Sequence, residues 1–86
     1  MKPTTCPIWE TPAQELLTTD YKREILSPRA GGPYVISGAV DALLAYQPLN
    51  EWEKHILTDW IRGQRRDGEA CPFVTSNVLE TVIGRS

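Results

Sequence analysis

The sequence predicts an α+β fold in which a small β part packs against three helices. Up to Ser37, short runs of β-branched and aromatic residues alternate with proline and glycine, as strands and turns do. From Ser37 onward, apolar residues recur at helical spacing, and each run follows a residue that caps helices well. We therefore expect residues 1–37 to form a β-hairpin or three-stranded sheet, and residues 38–86 to form the helical part of a single small domain.

Composition places the chain among globular domains and argues against several functional classes. Its 86 residues suit one small domain, with 41% hydrophobic and 23% charged residues. The net charge of −2 disfavours a general nucleic-acid binder, which carries a basic excess. No apolar run approaches the roughly 20 residues that span a bilayer, and residues 1–5 lack the apolar core of an export signal. We expect a cytoplasmic protein that does not contact membranes.

The segment 11–20 allows two interpretations. Thr11 as N-cap, with Pro12 at the first helical position, would begin a short helix. Alternatively, residues 15–19 form a strand, and residues 21–26 return as its hairpin partner. We favour the strand because it gives the following segment a partner.

A tight turn and a further strand connect the β part to the helices. Residues 27–33 contain two prolines and two glycines with no bulky side chain between them, which is typical of a turn. Residues 34–36 then alternate as a strand does. Residues 1–5 are expected to form a loose lead-in, and residues 69–74 a linker between helices.

The helix bounds are predicted from capping residues. Ser37 caps the first helix, and Thr75 or Ser76 caps the last. Asn50, with Glu53 three residues later, resembles a capping box at the start of the second helix. The predicted helices cover residues 38–46, 51–67 and 76–83.

The second helix has the clearest amphipathic pattern. Trp52, Ile56 and Trp60 recur at every fourth position, and Leu57 and Ile61 widen the stripe. A domain of this size has limited room for three tryptophans, and an exposed tryptophan marks an interaction patch. We assign Trp52 to such a patch.

Two short segments have the form of zinc knuckles with ligands replaced. Residues 6–9 are Cys-Pro-Ile-Trp, and residues 27–32 are Ser-Pro-Arg-Ala-Gly-Gly, each similar to Cys-Pro-x-Cys. Structural zinc is held by four Cys or His ligands, of which only Cys6 remains. The chain therefore resembles a zinc ribbon or treble clef that has lost its metal. Trp9 in a ligand slot favours packing, since an indole cannot hold zinc.

The wider pattern resembles the N-terminal region of a group of uncharacterised bacterial proteins. It extends from Cys6 and Trp9 through the glycine pair to Trp60 and Leu79, which is nearly the whole chain. The resemblance implies a degenerate, metal-free zinc ribbon without an established activity. Those proteins tend to be longer, so the resemblance is compatible with an N-terminal domain of a longer protein.

The remaining candidates for metal ligands are Cys6, His55 and Cys71. Cysteine and histidine are the usual zinc ligands, but nothing in the spacing pairs these three. We therefore expect neither a metal nor another cofactor. In a reducing compartment, both cysteines are expected to remain thiols that pack as small hydrophobic residues.

The candidates for a binding surface are Arg29, Tyr34, Trp52, Arg62 and Arg66. Arg29 lies in a glycine-rich turn that could present backbone N–H groups to an anion. The alternative is a structural turn whose Arg29 stacks on Trp9 or pairs with a carboxylate. Arg62, Arg65 and Arg66 form a basic helix end, which is either a nucleic-acid contact or a solvated end matched to the helix dipole.

Two functional hypotheses follow. The chain has no nucleophile elbow, no dinucleotide fingerprint and no carboxylate pair with catalytic spacing, so we expect no catalysis. The leading hypothesis is an interaction or regulatory module that presents a face to a protein partner or an adjacent domain, as a monomer or weak homodimer. The alternative is nucleic-acid binding through the knuckle and the basic end of the second helix.

Overall fold

The structure confirms the α+β class. The computed structural model describes residues 2–19 and 21–85, which form one sheet followed by helices. Within these residues the strands are β1 (Lys2–Thr5), β2 (Pro12–Thr18), β3 (Lys22–Ser27), β4 (Gly32–Ser37) and β5 (Phe73–Val74). The helices are α1 (Gly38–Tyr46), α2 (Glu51–Arg66) and α3 (Ser76–Ile83). Predictions that fall on Met1, Asp20 and Ser86 lie outside the described residues.

The sheet has five strands rather than the predicted three, in the order β1-β2-β3-β4-β5. Neighbouring strands are antiparallel except β4 and β5, which are parallel. β1 replaces the expected loose lead-in, and β5 lies in the expected linker. Both additional strands are short and lie at the sheet edges, where pairing with a neighbour rather than apolar alternation defines them.

The segment with two interpretations forms a strand, as favoured. β2 begins at Pro12, three residues earlier than expected, because it pairs with β1 from Pro12 opposite Thr5 to Glu15 opposite Lys2. A bulge between Glu15 and Leu17 shifts its register against β3. As a strand, this segment pairs its backbone N–H and C=O groups with β1 on one side and with β3 on the other. A short helix at this position would leave the facing backbone groups of β1 and β3 without these partners.

The helix bounds agree with the prediction to within one residue, since α2 ends at Arg66. Ser37 and Thr75 each accept a hydrogen bond from the backbone N–H three residues later. The predicted capping box is present: Asn50 Oδ1 accepts from the N–H of Glu53 at 2.8 Å, and Glu53 Oε1 accepts from the N–H of Asn50 at 3.0 Å. Over residues 2–19 and 21–85, no helix combines the length and apolarity needed to cross a membrane.

The hydrophobic core lies between one face of the sheet and the helices. Ile25, Tyr34 and Ile36 point from β3 and β4 into the same cluster as Leu57 and Ile61 of α2, and all five are fully buried. We call this side of the sheet the inner face.

α2 turns a different side toward the core than its tryptophans predict. Glu53, Leu57 and Ile61 form the buried side, whereas Trp52 is 63% exposed and Trp60 is only partly buried. The buried side is therefore offset by one residue from the tryptophan stripe. Glu53 can occupy it because its carboxylate caps the helix and also pairs with the guanidinium of Arg85 at 2.6 Å.

Candidate functional site

The residues predicted to form a binding surface do not form one surface. Arg29 and Arg62 line the same pocket. Trp52 and Arg66 are exposed near opposite ends of α2, roughly 21 Å apart along the helix axis. Tyr34 points into the core. The structure therefore brings Arg29 of the glycine-rich turn together with Arg62 of α2. It separates the other candidates, Tyr34, Trp52 and Arg66, from them.

Tyr34 is a core residue rather than part of a binding surface. It is fully buried on the inner face, and its hydroxyl lies 3.1 Å from the Cys6 sulfur. Burial and the neighbouring Cys6 raise the pKa of Tyr34 well above its ordinary value. Strand alternation alone could not show which face of β4 the helices would cover.

The candidate metal ligands Cys6, His55 and Cys71 are not brought together. In the described part of the chain, no group of three His, Cys, Asp or Glu side chains could hold a metal ion. Cys6 contacts Tyr34, whereas the His55 ring packs edge-on against Trp9 with the ring centroids 5.1 Å apart. Cys71 is half-buried elsewhere, where desolvation raises the pKa of its thiol.

The two knuckle-like turns lie against each other. The guanidinium carbon of Arg29 in the second turn is 4.4 Å from the ring centroid of Trp9 in the first. This confirms the alternative in which Arg29 stacks on Trp9. Within the second turn, the Ser27 hydroxyl accepts a hydrogen bond from the N–H of Ala30 at 3.2 Å. The residues in the four ligand slots are all buried: Cys6, Trp9, Ser27 and Ala30.

A polar pocket of about 410 Å³ opens beside Trp9, and we call it the Trp9 pocket. Its lining includes Trp9, Pro28, Arg29, His55, Asp59 and Arg62. The indole N–H donates to the Thr58 hydroxyl at 2.8 Å, which fixes the ring as one wall. Within the residues that the structure describes, neither arginine has a carboxylate within ion-pair distance. The pocket therefore contains two guanidinium groups with hydrogen-bonding capacity left over.

Arg65 holds the second turn against α2, a contact that the sequence did not indicate. Its guanidinium donates to the carbonyl of Gly31 at 3.1 Å and also to the carbonyl of Pro33. Its Cζ lies 3.4 Å from where a Cβ on Gly32 would stand, and Gly32 has a φ of +135°. Glycine is required here for its backbone conformation. Among the three arginines, only Arg66 fits the picture of a solvated helix end.

A second cleft, of about 290 Å³, includes Arg23, but its charges are already paired. Arg23 donates to Glu15 at 2.8 Å, to Asp41 at 2.9 Å and to the Thr4 hydroxyl at 3.0 Å. The hydrogen bond from Arg23 lowers the pKa of Glu15. This network joins β1, β2, β3 and α1, so we assign it to stability rather than to ligand binding.

The other face of the sheet carries apolar side chains that the helices do not cover. Because side chains alternate along a strand, Leu26, Val35 and Phe73 point away from the core. Phe73 is 44% exposed, Leu26 is half-buried, and Val35 is buried without belonging to the core cluster. We call the surface of these three residues the outer face.

Sequence reasoning missed the outer face, although one signal was present. Phe73 and Val74 form an apolar pair directly after Pro72, in the segment assigned to a linker.

The fold and site define a small α+β domain with one open sheet face and one basic pocket. No family model matches this chain, and neither the curated proteins nor the solved structures compared with it provide a match.

Proposed function

We propose that this protein is a non-catalytic interaction module that docks a protein partner, or an adjacent domain, on the outer face. The asymmetry of the sheet carries this proposal. Ile25 and Ile36 on the inner face are fully buried, whereas Phe73 on the outer face is 44% exposed and Leu26 is half-buried. Contiguous exposed apolar surface in a small domain marks a contact with another molecule.

The edges of the sheet are poorer docking sites than its face. β5 has only two residues, so an added strand would find a short ladder. At the opposite edge, β1 contains Pro3, which has no backbone N–H to donate. Short edge strands and edge prolines discourage strand addition. A partner is therefore expected to contact side chains of the outer face rather than to extend the sheet.

The dimensions and charges of the outer face favour a single amphipathic helix as the occupant. The outer-face residues lie on β3, β4 and β5, which span two interstrand spacings, or roughly 10 Å. A helix with its side chains is about 10 Å across, so one helix fits this width. Lys22 and Glu24 contribute one charge of each sign to this side of β3. The partner helix is therefore selected by its apolar stripe rather than by net charge.

The thiols and the histidine support a binding role over catalysis. The Cys6 sulfur is buried against Tyr34, and His55 packs against Trp9 instead of a thiol. Burial raises the pKa of Cys71, which reduces its thiolate fraction and thus its nucleophilicity. None of these contacts activates Cys6 or Cys71 as a nucleophile.

Descent from a metal-free zinc ribbon of bacterial proteins is part of the same proposal. It is supported by the packing of Arg29 on Trp9, which brings the two knuckle-like turns together. Side-chain packing at this point takes the place that a shared metal has in a zinc ribbon. The free cysteines Cys6 and Cys71 support placing the protein in the reducing cytoplasm.

Nucleic-acid binding is favoured by one observation, the meeting of Arg29 and Arg62 in the Trp9 pocket. Two observations weigh against it. Arg65 is bonded to backbone carbonyls, and the Asp59 carboxylate lies among the pocket residues. Because affinity for nucleic acid depends on the number of phosphates neutralised, we retain it only as an outcome of the binding experiment below.

The experiment compares partner capture by the wild type and by surface variants. The immobilised full chain is incubated with a lysate of its native cells, in parallel with Phe73→Ser on the outer face and Tyr46→Ser as a matched control. Tyr46 is an exposed aromatic residue at the end of α1. A third variant, Trp52→Ser, tests the exposed tryptophan of α2. Any protein lost only with Phe73→Ser is purified and titrated against all four chains by calorimetry.

The proposal expects a purified partner whose affinity falls about tenfold or more in Phe73→Ser and is unchanged in Tyr46→Ser, as for a large apolar contact in an interface. Loss of binding with Trp52→Ser but not with Phe73→Ser would move the interface to α2 and overturn the proposal. Sedimentation of the wild type provides a further check. Self-association that Phe73→Ser abolishes would make a second copy of this chain the occupant instead of a different protein.

A further inference from the structure

Four basic side chains surround the indole of Trp9. Arg29 lies 4.4 Å and Lys54 lies 5.8 Å from its ring centroid, and His55 packs on its edge. Arg62 lines the same pocket from the next turns of α2. The protein has a net charge of −2, so this concentration of positive charge is a local feature and not a property of the whole surface.

The two arginines are the available anion-binding groups in this cluster. Glu51 lies 3.8 Å from the Lys54 ammonium and 4.0 Å from the His55 ring nitrogen. The Arg29 guanidinium lies over the indole, and no carboxylate of the described residues lies within ion-pair distance of it, so its N–H groups are available to donate. Arg62 packs over the second turn, with its Nε 3.2 Å from where a Cβ on Gly31 would stand. Among the described residues, Arg62 has no carboxylate within ion-pair distance.

We propose that the Trp9 pocket binds the phosphate group of a small phosphate monoester. A phosphate monoester carries nearly two negative charges at neutral pH and presents three acceptor oxygens. Two guanidinium groups match this charge, and each can donate paired hydrogen bonds. The pocket volume of about 410 Å³ lies in the range of small-molecule sites. A polymer would instead require a longer basic surface than Arg29 and Arg62 provide.

The Asp59 carboxylate lines the same pocket and opposes an anion. Asp59→Asn is expected to tighten phosphate binding by roughly two- to fivefold, since it removes one partly screened like charge.

The binding experiment follows the Trp9 indole N–H by nitrogen-15 NMR while inorganic phosphate or phenyl phosphate is added. This N–H donates to Thr58 and so reports from the pocket wall. Arg62→Gln is the disabling variant, and Arg66→Gln is its control, because Arg66 is an exposed arginine one turn further along α2. We expect saturable shifts in the wild type, about tenfold weaker binding in Arg62→Gln, and no change in Arg66→Gln.

Four results would overturn the proposal. One is the absence of saturation up to about 50 mM inorganic phosphate, far beyond the millimolar affinity of a weak specific site. Another is equal weakening by Arg62→Gln and Arg66→Gln, which would indicate unspecific charge. The last two are equal affinity for acetate at matched ionic strength, and a saturable shift with a short DNA duplex but not with phosphate. The pocket and the outer face share no residue, so failure here leaves the proposed protein interaction intact.

Discussion

Replacing Arg65 by alanine tests whether the basic end of α2 is structural or merely solvated. Its guanidinium donates to the carbonyls of Gly31 and Pro33 and lies against Gly32. A hydrogen bond from a charged donor contributes about 1.5–3 kcal/mol, and partial exposure reduces this to about 1 kcal/mol for each bond. We therefore expect Arg65→Ala to lower the free energy of unfolding by about 2 kcal/mol. For a domain of this size that corresponds to a fall in Tm of roughly 8–16 °C.

The assay is urea denaturation followed by far-ultraviolet circular dichroism, with Arg66→Ala as the control. Arg66 has the same charge and is exposed at the end of the same helix, so its removal is expected to change stability by less than about 0.5 kcal/mol. A lysine at position 65 supplies charge but not the planar fork that reaches both carbonyls, so Arg65→Lys should fall between wild type and alanine. Equal stability of the two alanine variants would refute the assignment of Arg65 as a clamp on the turn.

Three further predictions concern the core and the backbone. Gly63→Ala is expected to stabilise α2 by about 1 kcal/mol, since the new methyl group meets only one flexible arginine end 3.9 Å away, whereas Gly32→Ala, at φ +135°, should destabilise the fold by about 1–3 kcal/mol. Urea denaturation measures both, and the reverse order would contradict the backbone argument. Because burial raises the pKa of Tyr34, the unfolded chain loses this proton first, and stability should fall as the pH rises above about 10. Tyr34→Phe should reduce that fall in the free energy of unfolding measured from pH 8 to 11, and an unchanged slope would count against it. Because the hydrogen bond from Arg23 lowers the pKa of Glu15, the unfolded chain gains this proton first, and stability should fall as the pH drops below about 4.5. Glu15→Gln should flatten that acid limb in the same assay, and a limb of wild-type slope would contradict the assigned ion pair.

Helices were easier to predict than strands because their signals are local. Ser37 and Asn50 cap their helices through side chains that contact the backbone only three residues away. β5 depends instead on a partner far along the chain. The backbone N–H of Val35 donates to the carbonyl of Pro72 at 2.8 Å, across 37 residues of sequence, and the apolar pair that follows Pro72 does not indicate which strand it joins. β1 pairs with the neighbouring β2, but its four residues show no apolar alternation. The missing strands are therefore the two shortest.

Of the candidate site, the sequence predicted only the meeting of the second knuckle-like turn with the basic end of α2. The stacking of Arg29 on Trp9 was among the alternatives because both residues belong to knuckle-like turns. The outer face was missed because alternation identifies two sides of a strand without showing which side the helices will cover. Tyr34 and Val35 are adjacent residues of types that both favour strands, yet Tyr34 joins the core cluster and Val35 does not. That distinction is set by the position of α1 and α2 against the sheet.

The geometry of α2 allows its three arginines to separate two explanations of the basic cluster. At 3.6 residues per turn, Arg62 and Arg66 differ by only about 40° around the helix axis and lie roughly 6 Å apart along it. Arg65 is rotated by about 60° from Arg62 around the same axis. If the cluster acts through charge alone, loss of any one arginine should weaken anion binding to a similar extent. If the structure assigns their roles correctly, Arg62→Gln changes affinity, Arg65→Ala changes stability, and Arg66→Gln changes neither. Arg62 and Arg66 share nearly the same side of α2. A difference in anion affinity between Arg62→Gln and Arg66→Gln would therefore show that binding depends on the position of the Trp9 pocket and not on the positive charge of the helix surface.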